Sequence, residues 1–221
     1  MLAAAGSGQR LGAGGPKALV EVGGRPLIAW SLAALAAAAS IRGVVVAAPP
    51  GHEDAMRELA PGAAVIAGGA TRAESVSLAL DAVEGDAVAV HDAARPLLTA
   101  ELVDRLLSRL WGSGAECVIA AAPIADTIKR AGEGGAVART VSRDGLWGAQ
   151  TPQVFRVDAL RAAQASAREA GELEAATDEA ALIERAGGTV LLEPSGGPNL
   201  KVTDPGDLAV AEALLKGRAE G

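Results

Sequence analysis

The sequence predicts an α/β protein with a doubly wound, mostly parallel sheet, and three observations carry that prediction. Short apolar runs of strand length recur along the chain. Ala- and Leu-rich stretches of helical length lie between them, joined by short polar connections. The strand-length runs are continuous rather than alternating, which suits strands covered by helices on both faces.

In chain order, helix candidates fall near residues 26–40, 51–60, 71–83 and 99–111, then 158–170 and 178–186. The apolar run from Pro26 to Ile41 is mostly Ala, holds Trp30, Ser31 and Ser40, and lacks the about 20 strongly apolar residues of a membrane span. Thr71-Arg-Ala-Glu74 is a capping box, with Thr as N-cap and Glu three residues on. Strand candidates are Gly43–Ala48, Ala63–Ala67, Asp86–Val90 and Ala115–Ala120, with a further one near 188–193. The last helix starts at Asp204-Pro205, an N-cap followed by proline at the first helical position. Residues 123–145 break the rhythm with two polar, β-prone runs around Gly132-Glu-Gly-Gly135. They read as a projecting hairpin whose glycines supply positive φ at the turn. An isolated hairpin is marginally stable, so this one needs a surface to pack on, and a second copy of the chain is the economical choice. All of residues 1–221 read as one domain, with 123–145 as its arm.

Composition narrows the function. The 221 residues are 50% hydrophobic, which excludes intrinsic disorder, and carry a formal net charge of −7, which argues against a general nucleic-acid binder. Aromatic residues make up 2%, with no Tyr and one Phe, so stacking platforms for single strands are missing. One cysteine, Cys117, rules out an internal disulfide and a Cys-based zinc site and suits a reducing compartment. Two histidines, His52 and His91, cannot build a His-rich metal centre. No basic, apolar leader opens the chain, and a cytoplasmic location is the expectation.

Three stretches carry chemistry. The first is Ala3-Ala-Ala-Gly6-Ser-Gly8-Gln-Arg10-Leu-Gly12-Ala-Gly-Gly-Pro16-Lys17. Its glycines can turn backbone N–H groups toward an anion, and Arg10 and Lys17 add positive charge. The spacing fits neither the dinucleotide fingerprint nor a Walker loop, and on glycine content alone a flexible turn explains it as well. The second is Val88-Ala-Val-His91-Asp92-Ala-Ala-Arg95-Pro96, where an apolar strand runs into an acid at its carboxyl end. Open α/β sheets bind ligands there. Asp92 suits Mg²⁺, a ribose or a substrate hydroxyl, or equally a turn cap paired with Arg95; His91 alone reads as structural. The third is scattered: Asp126-Thr127, Arg139 to Arg143, Gln150-Thr151-Pro152-Gln153, Thr177-Asp178-Glu179 and Asn199 to Thr203. Each is weak by itself, and Thr177 serves equally well as the N-cap of the helix at 178. Lys201 stands out because Leu200 and Val202 flank it. Covalent catalysis has no support, since there is no G-x-S-x-G elbow and Cys117 has no evident base.

Taken in order, A-A-G-x-G-x-R-x-G…P-K, G-G-x-x-R-x-x-S (Gly68 to Ser75), H-D-A-A-R-P, D-T-I-K-R, R-D-G-L-W-x-x-Q-T-P-Q, T-D-E-A and N-x-K-V-T resemble the 2-C-methyl-D-erythritol 4-phosphate cytidylyltransferase family from residue 3 to about 215. The opening loop is shared with many nucleotidyltransferases; the later blocks are more specific. The resemblance implies a Rossmann-like, nucleotide-diphospho-sugar transferase-like fold. It also implies a step of non-mevalonate isoprenoid synthesis: CTP and 2-C-methyl-D-erythritol 4-phosphate react, with Mg²⁺ held mainly through the CTP phosphates, to give the CDP-linked product and pyrophosphate. Arg10 and Lys17 then correspond to residues that stabilise the α-phosphate under attack, and Arg143 and Lys201 to residues that orient the attacking phosphate. Ala4, Ala5, Gly6, Gly8, Gly68, Gly69, Ser75 and Asp92 correspond to nucleotide-side positions. Asp92, Thr151 and Thr177 correspond to positions near the methylerythritol, and Arg95 and Thr127 to positions that reach a neighbouring subunit's pocket. No protein metal ligand is implied; a homodimer through the arm is, and neither nucleic acid nor membrane is a partner.

Two departures are visible. Only Met1 and Leu2 precede Ala3, so a shortened first strand, or a late start, is expected to weaken the seating of the CTP loop, and Gln9 stands where a second basic residue is common. The chain stops short of any fused cyclase domain and so reads as monofunctional. The competing readings are a cytidylyltransferase for ribitol 5-phosphate and a catalytically silent nucleotide-binding homologue.

Overall fold

The structure, a computed structural model, describes residues 1–6, 8, 11–12 and 14–219. In chain order the elements begin with β1 (Leu2–Ala3), a small hairpin of β2 (Glu21–Val22) and β3 (Arg25–Pro26), and α1 (Leu27–Ala37). Next come β4 (Val45–Ala48), α2 (Glu53–Leu59), β5 (Ala64–Ala67), α3 (Arg72–Asp81), β6 (Ala87–Asp92), α4 (Ala100–Ser113) and β7 (Cys117–Pro123). The arm strands are β8 (Ile128–Ala131) and β9 (Val137–Val141). The chain closes with β10 (Trp147–Arg156), α5 (Val157–Glu169), α6 (Glu179–Arg185), β11 (Val190–Pro194) and α7 (Pro205–Ala219).

Seven strands make one sheet in the order β11-β7-β10-β6-β1-β4-β5. All neighbours are parallel except around β10, which runs antiparallel to both β6 and β7. The period-two geometry of a strand explains why the apolar runs are unbroken. In β4, Val46 and Ala48 enter the core under α1, α2 and α4, beside Leu35, Met56 and Leu106. Val45 and Ala47 enter the opposite core under α3, α5 and α6, beside Leu80, Leu160 and Ile183. β7 divides likewise, Val118 and Ala120 against Cys117 and Ile119. A smaller cluster of Val22, Leu27, Leu97, Val202, Ala211 and Leu215 seats α7.

The short first strand is central all the same. Its backbone ladder runs past the two strand residues: His91 N donates to Met1 O, Ala93 N to Ala3 O, and Ala4 N to Ala47 O. Pairing on both sides, with Leu2 fully buried, holds it where a longer strand would be held.

β10 is absent from the sequence prediction. Its Trp-Gly-Ala-Gln-Thr-Pro-Gln run is polar and contains Pro152, which argues against an interior strand. The structure accommodates the proline in an irregularity, where the pairing with β7 shifts register between Ala149 and Gln153. Beyond it, Val154 and Phe155 turn into opposite cores.

Caps set the helix ends. Thr99 accepts from Leu102 N at the start of α4, and Gly114, at φ 73°, terminates it. Asp204 accepts from Asp207 N at the start of α7. In the 71–74 capping box Thr71 accepts from Glu74 N, but the Glu74 carboxylate reaches Ala70 N rather than the N-cap's own N–H. Among the described residues no helix is long and apolar enough to cross a membrane.

Phe155 is fully buried and is the chain's one Phe. Phe155→Ala is expected to cost about 3–5 kcal/mol, read as a lowered denaturation midpoint in urea.

Candidate active site

At the carboxyl ends of β1, β5 and β6 the connecting loops surround a cleft of about 620 Å³. The chain builds β4 and β5 to one side of β1 and then returns to place β6 on the other. The cleft therefore sits where strand order reverses, the place where open α/β sheets bind ligands.

One wall is the opening loop. Lys17 N donates to Gly6 O, which closes the loop at its base. Gly8 has φ +69°, and a Cβ there would lie 2.8 Å from Gly15 O, so both conformation and space require glycine. Ala4, Ala5, Gly6, Gly8 and Lys17 all line the cleft. Arg10 and Gln9 lie outside the described residues. The Lys17 charge reaches Asp207 near the start of α7 and helps hold that carboxyl below its ordinary range, after the hydrogen bonds from Thr203 and Asp204.

The opposite wall is the β5–α3 turn. A Cβ on Gly68 would meet Ala5 Cβ at 2.5 Å, so this glycine allows two loops to touch. Gly69 N donates to Ser75 Oγ, which itself donates to Thr71 O. Ser75 borders the cleft, but its hydroxyl is committed to shaping the turn.

The floor is electrostatic. Asp92, the last residue of β6, accepts from Lys201 Nζ at 2.7 Å on one oxygen and from Arg72 Nε at 3.1 Å on the other. Arg72 also donates through Nη1 to both oxygens of Glu179 at 2.8 Å. Burial alone would raise the Asp92 carboxyl, but the Arg72 and Lys201 charges hold it well below the usual carboxylate range. Burial pushes the Glu179 carboxyl up, and Arg72 offsets part of that. Arg72 was legible inside the G-G-x-x-R-x-x-S pattern, and Glu179 inside T-D-E-A, yet neither pattern assigns them a role. What they do appears only once α3, α6 and β6 converge.

The remaining sequence candidates lie elsewhere. Arg95 does not pair with Asp92 and does not reach outward: it is 9% exposed and donates through Nη1 to Asn199 O. Burial lowers its guanidinium from its ordinary value. Thr151 stands behind the cleft, where its hydroxyl accepts from Asp92 N. Asp178, not Thr177, caps α6, accepting from Ala181 N; Thr177 is exposed just ahead of it. Thr127 is exposed at the root of the arm. Arg143 is exposed as well and lines a separate cavity with Ile124, Leu146 and Trp147, its guanidinium bonded to Ala125 O. One chain thus brings Lys17 and Lys201 together but not Arg143. In the arm turn Gly134 and Gly135 carry positive φ, whereas Gly132 is extended.

His91 is structural and fully buried. Its Nε2 faces Arg95 O, which only accepts, so Nε2 bears the proton. Nδ1 then accepts from Thr151 Oγ1 at 3.0 Å. Burial lowers this imidazole to about 4, so it is neutral at neutral pH.

For Mg²⁺, the described residues contain no group of three or more His, Cys, Asp or Glu side chains that could hold an ion. Among the described residues that line it, the cleft offers one carboxylate, Asp92, already shared by two cations. This donor set fits a metal carried on a ligand's phosphates and not one held by a protein cage.

His91 also sets a pH dependence. The unfolded chain binds a proton at His91 below about pH 6.5, whereas the folded one does so only near 4. Stability is therefore expected to fall as pH drops from 6.5 toward 4. His91→Asn should flatten that slope in denaturant titrations across the window while lowering stability at neutral pH.

Comparison with known proteins adds a family. Residues 1–217 match the family described as 2-C-methyl-D-erythritol 4-phosphate cytidylyltransferase (IspD). The enzyme of that name from Deinococcus radiodurans is 48% identical over 221 residues, covering 100% of this chain and 90% of that one. Its counterpart from Frankia casuarinae is 47% identical over 215 residues, covering 96% of this chain and 79% of that one. The crystal structure of the Thermus thermophilus enzyme superposes with a TM-score of 0.81 at 40% identity, covering 97% of each chain.

Proposed function

Because the chain belongs to the 2-C-methyl-D-erythritol 4-phosphate cytidylyltransferase family, we propose how its cleft carries out that reaction. The enzyme transfers a cytidylyl group from CTP to 2-C-methyl-D-erythritol 4-phosphate, releasing pyrophosphate, a step of isoprenoid synthesis. The acceptor phosphate attacks the α-phosphorus of CTP in line with the departing pyrophosphate. Two polyanions must meet and negative charge must gather at one phosphorus, so positioning and positive charge do the catalysis.

Lys17, with Arg10, neutralises the α-phosphate as it becomes five-coordinate. Lys201 leaves Asp92 for the acceptor phosphate and aims its oxygen. Asp92, relieved of one cation, accepts from an acceptor hydroxyl. The backbone around Gly6, Gly8 and Gly69 cradles the nucleotide, and Ser75 keeps that cradle in shape. Mg²⁺, when bound, neutralises and orients the triphosphate, and its ligands come mainly from CTP. The observation that carries this reading is the pairing of Lys17 and Lys201, remote in sequence, in one cleft at the switch point of the sheet.

Arg143 and Thr127 act on the cleft of a second copy through the arm. Three features support an arm built for a partner: Val137 is 62% exposed, Leu146 and Trp147 are also exposed, and Arg130 lies directly opposite Arg139. Like charges facing across two strands are destabilising, so a partner surface would relieve them. Thr177 faces the acceptor from the start of α6, and Thr151 acts indirectly by holding Asp92. The chain works in the cytoplasm.

Offering CTP with either 2-C-methyl-D-erythritol 4-phosphate or ribitol 5-phosphate and measuring pyrophosphate release tests the acceptor; preference for ribitol 5-phosphate would overturn it. Lys17→Ala is expected to lower kcat by at least about 100-fold while changing KM for CTP much less. An effect confined to KM would remove Lys17 from the transition state. Deleting residues 132–135 is expected to weaken dimerisation and acceptor binding together, read by light scattering and by KM for the acceptor.

A further inference from the structure

The ion pairs on the cleft floor form a chain of alternating charges, Lys201–Asp92–Arg72–Glu179, whose first three members line the cleft while the last lies behind Arg72. Glu179 is 2% exposed and opens α6 immediately after Asp178, whose carboxylate accepts from Gln153 Nε2 at 2.7 Å. Burying a carboxylate is costly unless it is paired. Among the described residues Glu179 forms its ion pair with Arg72 alone, with both oxygens on one nitrogen. Arg72 bridges two carboxylates from the first turn of α3.

Without the Glu179 charge, Arg72 would have Asp92 as its one counter-ion among the described residues, and the Asp92 carboxylate would be drawn toward α3. Lys201 and Arg72 compete for that carboxylate, so tightening one link loosens the other. Resting on the acceptor role of Asp92 given above, we propose that Glu179 is a positioning residue: acting through Arg72, it fixes the aim of Asp92 and couples the Thr177 segment to the acceptor side of the cleft. Glu179 is placed to do this because the same two residues, Asp178 and Glu179, tie the start of α6 to β10 on one side and to α3 on the other.

The test is steady-state kinetics of Glu179→Gln, which keeps volume and one acceptor but removes the charge. The expected result is a kcat/KM for the acceptor lowered roughly 10- to 100-fold, as when an outer partner of an active-site group is removed, with KM for CTP within about 3-fold. In an Asp92→Asn background the same substitution should add little, because the chain it acts through is already cut. Arg72→Lys keeps the positive charge without the fork, leaves the buried carboxylate in place and should lose acceptor kcat/KM in the same direction. A folded Glu179→Gln or Arg72→Lys enzyme with acceptor kcat/KM within about 2-fold of the parent overturns the proposal, as does a loss that simply multiplies with that of Asp92→Asn. If Asp92→Asn by itself leaves acceptor kinetics unchanged, the acceptor role of Asp92 is what fails, and the proposal falls with it.

Discussion

One carboxylate answering to two cations is the constraint around which this cleft is arranged. Asp92 ends a central strand, is nearly buried, and accepts from Lys201 on one oxygen and from Arg72 on the other. A buried charge held this way stays ionised and stays aimed, because moving it would strand at least one partner. Its backbone is fixed too, since Asp92 N donates to Thr151, which donates to neutral His91, which in turn donates to Arg95 O. The Asp92 side chain on the cleft floor and the hydrogen bonds behind it are thus parts of one network.

This arrangement also explains how an acidic protein manages anionic substrates. A net charge of −7 would repel them at long range. In the cleft, however, Lys17, Lys201 and Arg72 face inward while Asp92 and, behind it, Glu179 are both buried and ion-paired. Charge at the reacting centre is set by local pairing, and the surface excess has little bearing on it.

How much of this could be read from the residues differs between fold and site. The parallel strands were legible because burial on both faces forces unbroken apolar runs, and the helices because their Ala- and Leu-rich stretches lie between those runs, with Thr71 and Asp204 marking two of the starts. β10 was not, because Pro152 stands in its middle between Gln150-Thr151 and Gln153, and only pairing with β6 and β7 makes it a strand. Lys17, Lys201 and Asp92 could be singled out as charges in unusual local settings. Arg95 misleads, since an arginine beside an acid suggests a pair, whereas the turn directs it onto Asn199 instead. Glu179 was hidden for a different reason: its partner is remote in the chain, and no local pattern distinguishes a buried helix-opening glutamate from a solvated one.

The segment that carries Lys201 is anchored at its backbone and loose at its tip. Val202 N donates to Ala94 O, Asn199 Nδ2 to Thr151 O, and Arg95 to Asn199 O, so the main chain on either side is clamped. The ammonium sits at the end of a four-carbon stem that turns through side-chain torsions alone. In the proposed mechanism, handing this cation from carboxylate to phosphate is therefore a swivel on a fixed post, rapid and without any reshaping of the scaffold. A stiffer guanidinium at the same post would not make the exchange as freely.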